Sequence, residues 1–280
     1  MQQFKNHIYN SLSDIYSEKE IHVFTFLILE KITGLSNTRL LSNSDLVLSE
    51  SQKEEAKEFI SRLKQNEPIQ YILGETVFFG LNFNVNPSTL IPRPETEELI
   101  EWIKTNVSSN LVEKEVLDIG TGSGCIAVTL KKLFPNAGMT AMDISAEALV
   151  TAKQNAELNG VEIDFAQVDV LQIKKLNKKY DIIVSNPPYV LESDKKNMQH
   201  NVLDYEPHIA LFVTDSDPLI YYRKIAELAR NHLSKTGMLY FEIHNKQGEN
   251  CKKLLHSLGF KSIILRKDIS GNDRMVCATL

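Results

Sequence analysis

The sequence predicts an α/β protein whose largely parallel sheet is covered by helices on both faces and preceded by a small α-helical domain. Three observations predict this class. Apolar strand-like runs alternate with helical runs from residue 115 onward, the first 74 residues show only helical periodicity, and an alternating run around Gly80 predicts a β-hairpin between them. The last two strand-like runs are joined by a tight Ser-Gly-Asn-Asp connection, so the last strand is expected to be antiparallel to its neighbour.

Composition and charge limit the functions that the chain can have. It has 280 residues, of which 42% are hydrophobic and 24% charged, which is ordinary for a globular protein. The net charge of −5 argues against a protein that depends on nucleic-acid phosphates. Cys125, Cys251 and Cys277 form no CxxC motif and the histidines are scattered, so neither disulfides nor a metal site are expected. No signal peptide or membrane span is recognisable, which predicts a cytoplasmic protein with no membrane partner.

Three parts are predicted, a helical domain, a β-hairpin connector and an α/β domain, at residues 1–74, 75–90 and 91–280. In the helical domain, apolar side chains such as Phe24, Leu27 and Ile28 recur at helical spacing. Residues 1–75 contain 8 Lys and Arg against 11 Asp and Glu. The helical domain is therefore not a basic clamp for nucleic acid.

Strand and helix signals alternate through the α/β domain, as a parallel sheet with covering helices requires. One predicted helix starts at Thr96, directly after two prolines that bracket Arg93, and four others follow, at Ser123–Phe134, Ala146–Asn159, Pro218–Leu233 and Gln247–Leu258. Gly160 and Gly259 stand where a left-handed helix cap is typical. The predicted strands are the apolar runs at residues 115–120, 138–145, 162–169, 180–186, 237–244, 261–269 and 274–280.

A glycine-rich loop, Gly120-Thr121-Gly122-Ser123-Gly124, follows the first of these strands and opens a helix. Such a loop brings backbone N–H groups close to a ligand, and Asp143, at the end of the next strand, can accept both hydroxyls of a ribose. The alternative is a simple tight turn with Asp143 as a helix cap, but loop, helix and strand-end acid coincide. The GxGxG spacing, with Asp118 before it, favours S-adenosylmethionine over a dinucleotide, because an acid there suits a cationic group better than a pyrophosphate.

A second polar segment, Asn186-Pro187-Pro188-Tyr189, ends the fourth strand and is expected opposite the glycine loop. An amide nitrogen is a poor nucleophile, so a site that methylates one must accept both of its N–H bonds. The Asn186 side chain and the Pro187 carbonyl supply two acceptors, Pro188 fixes the loop, and Tyr189 offers a face for a planar group. Alignment would then supply most of the catalysis without a strong base. The alternative is a proline-rich turn after a buried strand.

The glycine loop, Asp143 and the Asn-Pro-Pro-Tyr segment together resemble class I, Rossmann-like S-adenosylmethionine-dependent methyltransferases that act on planar nitrogens. Three further segments, Pro68–Gly74, Phe78–Gly80 and Leu90–Glu97, resemble the HemK/PrmC family, the N5-glutamine methyltransferases of peptide chain release factors. The Pro-Arg-Pro-Glu-Thr-Glu form of the last segment is similar to the release-factor enzymes rather than to their ribosomal-protein relatives.

That resemblance implies a substrate, a cofactor and a set of site residues. The substrate is the glutamine of a Gly-Gly-Gln loop on a release factor, and methyl transfer from S-adenosyl-L-methionine leaves S-adenosyl-L-homocysteine. The implied cofactor contacts are Gly120, Thr121, Gly122, Ser123 and Gly124 at the methionine part, Asp143 at the ribose, Asp169 and Val170 at the adenine, and Asn186. Asn186, Pro187 and Tyr189 are implied as catalytic, and with Pro188 they form the substrate site. The helical domain is expected to recognise the release factor elsewhere, and the enzyme to be a monomer.

Two departures from the family pattern and several alternatives qualify this interpretation. Phe212–Asp217 replaces a more glycine-rich loop, and His244, interpreted as a structural strand-end residue rather than a base, stands where glycine is common. The alternative activities are glutamine methylation of a ribosomal protein and N6-adenine methylation of nucleic acid, which would call for a basic face. An NAD-dependent oxidoreductase is opposed by the GxGxG spacing, and a non-catalytic interaction protein by the intact motifs.

Overall fold

The computed structural model describes residues 2–42, 46–107 and 114–280, and the chain divides into two compact units. The first unit contains Met1–Gly74 and Gln199–Tyr205, and the second contains Glu75–Met198 and Glu206–Leu280. A short segment from within the predicted α/β domain therefore belongs to the helical unit. Among the described residues, no helix combines the length and the apolar character that a membrane span needs.

The first unit is helical, as predicted, and its helices are α1 Gln2–Leu12, α2 Glu18–Thr33, α3 Asn37–Ser42, α4 Glu50–Leu63 and α5 Ile69–Leu73. Capping boxes fix the starts of α2 and α4. In the first box the Ser17 hydroxyl accepts from the Glu20 backbone while the Glu20 carboxylate accepts from the Ser17 backbone, and Ser49 and Gln52 repeat the pattern. The apolar faces of these helices form one buried core.

A β-hairpin opens the second unit, with β1 at Glu75–Phe78 and β2 at Leu81–Asn84. Its two turn residues, Phe79 and Gly80, both have positive φ, at 51° and 73°. Positive φ at both positions is the geometry of a two-residue hairpin turn that follows the strand twist. The predicted hairpin is therefore confirmed.

The remainder of the second unit alternates helices and strands. Its helices are α6 Pro94–Asn106, α7 Cys125–Leu133, α8 Ala146–Leu158, α10 His208–Leu211, α11 Ile220–His232 and α12 Gly248–Ser257, while α9 His200–Leu203 lies in the first unit. Its strands are β3 Glu115–Ile119, β4 Gly138–Asp143, β5 Asp164–Gln167, β6 Tyr180–Ser185, β7 Val190–Leu191, β8 Phe212–Val213, β9 Leu233–Glu242, β10 Ser262–Lys267 and β11 Asp273–Thr279.

Seven of these strands form one sheet in the order β10-β11-β9-β6-β3-β4-β5. The pairs from β9 to β5 are parallel, whereas β11 lies antiparallel between β9 and β10. The predicted α/β class and the antiparallel last strand are confirmed. Successive residues of β3 point to opposite faces, so Val116 packs in the core under α6, α7 and α8, while Leu117 packs in the core under α11 and α12.

Several local features differ from the sequence prediction. Strand β9 begins at Leu233, four residues before the predicted start at residue 237, and the short helices α9 and α10 were not predicted. Helix α6 begins at Pro94 rather than at Thr96, because a proline at the first helical position loses no hydrogen bond and already has a helical φ. Thr96 consequently lies inside the first turn. The parallel pair of β7 with β8 was not predicted, because two-residue strands carry no periodic signal.

Candidate active site

A cleft lies beyond the carboxyl ends of β3, β4 and β6, where the strand order reverses on either side of β3. Ligands of doubly wound sheets bind at such a reversal. The cleft holds about 1020 Å³ of space, part of it open to solvent. The predicted site residues that line it are Gly120, Thr121, Gly122, Ser123, Asp143, Asp169, Val170, Asn186, Pro187 and Pro188.

The glycine loop presents open backbone to this cleft. Gly120 and Gly122 have φ values of 74° and 55°, and a Cβ added to either would meet no atom within 4 Å. The amides of Gly120 and Thr121 both donate to the Met142 carbonyl, at 2.8 and 3.0 Å, which ties the loop to the end of β4. Glycine is needed here for its left-handed backbone and for the close approach that it allows a ligand.

Gly124 has a different position from the other loop glycines, since it caps α7 and does not line the cleft. Its φ is 81°, and a Cβ there would lie 3.1 Å from the Cβ and 3.3 Å from the Cα of Ala152 on α8. A side chain at Gly124 would press on Ala152, so glycine favours the close packing of α7 on α8. Its predicted cofactor contact stays a prediction.

The carboxylates of Asp143 and Asp118 both accept hydrogen bonds from the glycine loop. Asp143 accepts the Gly122 amide at 2.8 Å through Oδ2 and the Ser145 amide at 2.9 Å through Oδ1. Asp118 is fully buried and accepts the Thr121 hydroxyl at 2.7 Å. Burial raises the pKa of Asp118 to about 7; the Thr121 hydrogen bond opposes this shift and the Asp143 charge adds to it.

The segment Asn186–Pro188 after β6, here called the polar tip, is fixed by hydrogen bonds to two neighbouring elements. Ser185 donates its hydroxyl to the Ile119 carbonyl at 2.6 Å, so the end of β6 is fixed against the end of β3. The Asn186 side-chain NH₂ group donates to the Thr96 hydroxyl at 3.3 Å. Among the described residues, no hydrogen bond reaches the Asn186 Oδ1 atom or the Pro187 carbonyl. Both acceptors that the sequence predicts therefore receive no hydrogen bond from the described part of the chain.

Tyr189 lies behind the tip and does not line the cleft. Its hydroxyl donates to the Glu242 carboxylate at 3.1 Å, and its backbone amide donates to the Leu211 carbonyl at 3.2 Å. Burial and the Glu242 charge raise its pKa above the usual value for tyrosine. Its predicted packing against the substrate amide stays a prediction.

Sequence reasoning missed the residues that support Asn186. Thr96 was expected to begin a helix within the Leu90–Glu97 segment, and Glu242 to lie inside a strand, and neither was assigned to the site. The Thr96 hydroxyl nevertheless donates to the buried Glu242 carboxylate at 2.6 Å. Arg93 lines the cleft and pairs with the buried carboxylate of Glu206, which also accepts the Ile91 amide at 3.3 Å. The sequence signal for Glu242 was a charged residue inside the apolar run at residues 239–243.

The two departures from the family pattern have defined places. In the Phe212–Asp217 segment, Asp217 forms two hydrogen bonds of 2.8 Å with Arg223, which lowers the pKa of its carboxyl. His244 is half-buried, packs edge-on to the Tyr189 ring at 5.9 Å and accepts the Lys246 amide through Nδ1 at 3.2 Å. Burial lowers the pKa of His244, and the residue does not line the cleft.

Comparison with known proteins identifies the class. The family described as Methyltransferase small domain matches residues 95–207, which include the glycine loop and the Asn186 tip. The PrmC N-terminal domain family matches residues 6–74, the helical part. The fold, the cleft and these matches define a methyltransferase with an added helical domain.

Close relatives identify the particular family. The release factor glutamine methyltransferase of Flavobacterium psychrophilum is 51% identical over 99% of this chain and 98% of its own length. The enzyme of the same name from Bacteroides thetaiotaomicron is 44% identical over 99% of both chains. The chain belongs to the family of release factor glutamine methyltransferases, as the sequence resemblance implied.

Solved structures confirm the fold. The hMettl16 catalytic domain, solved with an RNA hairpin of the MAT2A 3′UTR, aligns over 84% of both chains with a TM-score of 0.55 at 15% identity. The 16S rRNA N2 G1207 methyltransferase of T. thermophilus, solved with S-adenosylmethionine and guanosine, covers 73% of this chain and 49% of its own, with a TM-score of 0.52 at 17% identity. At these identities the likeness shows the shared sheet and helices alone.

Proposed function

We propose that this protein transfers a methyl group from S-adenosylmethionine to the side-chain nitrogen of the glutamine in the Gly-Gly-Gln motif of peptide chain release factors. The observation that carries the proposal is that one cleft is lined both by the open glycine loop with Asp143 and by Asn186 and Pro187. Family membership, with 51% identity across the whole chain to a release factor glutamine methyltransferase, supports the choice of substrate.

The residues of the cleft fit S-adenosylmethionine, which supplies an electrophilic methyl group on a cationic sulfur. Asp143 and Asp169 line the cleft and attract a ligand that carries positive charge. The open backbone at Gly120 and Gly122 leaves room for the methionine part, while Ile144 and Val170 provide apolar contacts for a planar base. Asp143 is oriented by two backbone amides and would accept the hydroxyls of the ribose.

The chain's contribution to transfer is to align the substrate amide. The Asn186 Oδ1 atom and the Pro187 carbonyl each accept one N–H bond of the glutamine, which turns the nitrogen lone pair toward the methyl donor. Holding both groups in one cleft converts the encounter into an intramolecular reaction, and that alone lowers the barrier by several kcal/mol. The amide proton leaves after transfer, so no strongly basic side chain is needed at the nitrogen.

We further propose that the helical unit binds the release factor outside its Gly-Gly-Gln loop, because three residues offer too little surface for specific binding. We also propose that the enzyme acts in the cytoplasm, where translation takes place, as a monomer with no direct nucleic-acid or membrane partner. Recognition away from the loop predicts a much higher kcat/KM for a whole release factor than for a peptide that carries the same loop. Equal values would contradict it.

The decisive experiment incubates the protein with labelled S-adenosylmethionine and, in separate reactions, release factors, ribosomal proteins and DNA. The expected result is a single methyl group on the Gly-Gly-Gln glutamine, located by mass spectrometry, and none on a release factor whose glutamine is replaced by alanine. Label on a ribosomal protein or on DNA, with none on release factors, would replace the proposal by one of the alternative activities.

A further inference from the structure

A chain of three side chains connects the core of the sheet to the substrate end of the cleft. Glu242, at the end of β9, is 1% exposed, and its carboxylate accepts the Thr96 hydroxyl at 2.6 Å. The Thr96 oxygen, from the first turn of α6, lies 3.3 Å from the Asn186 side-chain nitrogen. Thr96 is itself 2% exposed, so water does not compete for its hydroxyl.

The direction of each hydrogen bond in this chain follows from Glu242. An ionised carboxylate has no proton and only accepts, so the single proton of Thr96 must point toward Glu242. The Thr96 oxygen is then left with lone pairs alone and can bind only a donor. An asparagine amide has a donor end and an acceptor end of nearly the same shape, and the donor end must therefore face Thr96.

We propose that Glu242, acting through Thr96, is a positioning residue that keeps the Asn186 carbonyl oxygen turned toward the substrate amide. This inference deepens the proposed function and rests on it. With the nitrogen of Asn186 held by Thr96, Oδ1 is the end that stays free in the cleft. The reverse orientation would place an NH₂ group against the NH₂ group of the glutamine, and the substrate nitrogen would lose one of its two acceptors.

Tyr189 completes the arrangement from the other side of the carboxylate. Its hydroxyl donates to the second oxygen of Glu242 at 3.1 Å, so both oxygens of the buried carboxylate have a donor. Arg274 on β11 adds a favourable positive charge. Two donors and a nearby cation are what a carboxylate needs to remain ionised away from water. The same contacts give Tyr189 a role behind the tip without contact to the cleft.

Lowering the pH should allow the Asn186 amide to turn, because its orientation depends on an ionised Glu242. The charged and titratable groups that face Glu242 are Glu95 of α6, Tyr189 after β6, Arg274 of β11, Cys125 of α7 and Tyr222 of α11. Burial raises the pKa of Glu242 above its usual value, against the hydrogen bonds from Thr96 and Tyr189 and the charge of Arg274. Once protonated, the carboxyl can donate to Thr96, whose own proton is then free to turn toward Asn186. Activity should therefore be complete above the pKa of Glu242 and decline as the pH falls through it.

The test compares Thr96→Val, which keeps the shape and removes the hydroxyl, with Thr96→Ser, which keeps the hydroxyl, and with Glu242→Gln. For Thr96→Val we expect kcat on a release factor to fall roughly 10- to 100-fold. The KM, and the affinity for the cofactor measured by calorimetry, should change little. Thr96→Ser should recover most of the lost kcat. Thr105→Val, an exposed site on the same helix, serves as the control and should match the wild type.

A second measurement does not depend on turnover. The Asn186 side-chain NH₂ signals, assigned by their loss in Asn186→Ala, should shift in nitrogen-15 NMR spectra when Glu242 titrates. That shift should disappear in Glu242→Gln and in Thr96→Val. Wild-type kcat in Thr96→Val, equal losses for serine and valine, or an Asn186 signal that does not respond to pH would each overturn the inference. If instead the wild-type protein fails to methylate release factors while the NMR response is present, the proposed function fails and the positioning survives.

Discussion

The side-chain amide of Asn155 on α8 binds both backbone groups of Asn84 on the hairpin strand β2. Asn155 Oδ1 accepts the Asn84 amide at 2.6 Å, and its NH₂ group donates to the Asn84 carbonyl at 2.9 Å. The same NH₂ group donates to the Ser123 carbonyl in the glycine loop at 2.8 Å. One buried side chain thus replaces a missing strand partner for the hairpin and anchors the glycine loop that lines the cleft.

Replacing Asn155 by aspartate tests its hydrogen bonds apart from its packing, because the two side chains have nearly the same size. The aspartate keeps the size but cannot donate, so the buried Ser123 carbonyl and the partly buried Asn84 carbonyl lose their partner. A charge is also left beside them, and the change should cost about 2–4 kcal/mol of unfolding free energy. Cofactor affinity should fall several-fold, because the Ser123 carbonyl is no longer held. Urea unfolding and calorimetry measure the two effects.

Asn159→Asp is the matched control for this prediction. Asn159 caps the same helix and donates to the Asn82 carbonyl of the hairpin at 2.9 Å, but it makes no contact with the glycine loop. We expect a smaller loss of stability and unchanged cofactor affinity. An equal loss of affinity in both variants would mean that the hairpin, and not the Ser123 contact, controls the cleft.

Asn186→Ala should strongly reduce transfer while cofactor binding is retained. The variant removes the Oδ1 acceptor, so the glutamine amide keeps only the Pro187 carbonyl and its lone pair is no longer directed. Loss of one preorganised hydrogen-bonding group at a reacting centre costs about 100-fold or more in kcat. Single-turnover kinetics and calorimetry with S-adenosylmethionine report the two quantities. A variant that transfers at the wild-type rate would refute the alignment mechanism.

The sheet and the cleft could be predicted because their signals are local. A buried parallel strand is a continuous apolar run, as in Ile182, Ile183 and Val184, and the polar residues that follow must then lie at the carboxyl edge of the sheet. Glycines with positive φ, such as Gly120 and Gly122, mark the turn by themselves. Each of these inferences needs only a short stretch of sequence.

The supports of the site could not be predicted, because each joins residues that are far apart in sequence. Thr96 and Glu242 meet only after α6 has packed across the sheet beside the end of β9. Asn155 resembles any polar residue of an amphipathic helix until the hairpin lies against it. The sequence shows that these residues are polar, but which backbone or side chain satisfies them is decided by tertiary packing.

Gly124→Ala tests the assignment of this glycine to helix packing. The new methyl group would lie 3.1 Å from the Cβ of Ala152 and would also force alanine to a φ of 81°. Gly160→Ala is the control, since its φ is 64° and no atom lies within 4 Å of the added carbon. Backbone strain alone costs about 1–2 kcal/mol, so the Gly124 variant should lose clearly more unfolding free energy than the Gly160 variant. Equal losses would show that α7 and α8 can separate at no cost.

Asp118 should make the stability of the cofactor-free protein depend on pH in an unusual direction. Its pKa is raised to about 7 from its ordinary value of 3.8, chiefly by burial, so the folded state keeps a proton that the unfolded chain releases. The favourable contribution is complete below the unfolded pKa and is lost as the pH rises toward 7. Three pKa units correspond to about 4 kcal/mol.

Asp118→Asn isolates this contribution, because asparagine has the same shape and does not titrate. We expect the unfolding free energy of the wild type, measured in urea between pH 4 and pH 7.5, to fall relative to that of the variant by up to about 4 kcal/mol. Only the difference in slope matters, since the unpaired amide of the variant adds a constant cost and all other titrating groups are common to both proteins. Parallel curves would mean that Asp118 is ionised at its usual pKa, and that the glycine loop lies over a charged carboxylate throughout this range.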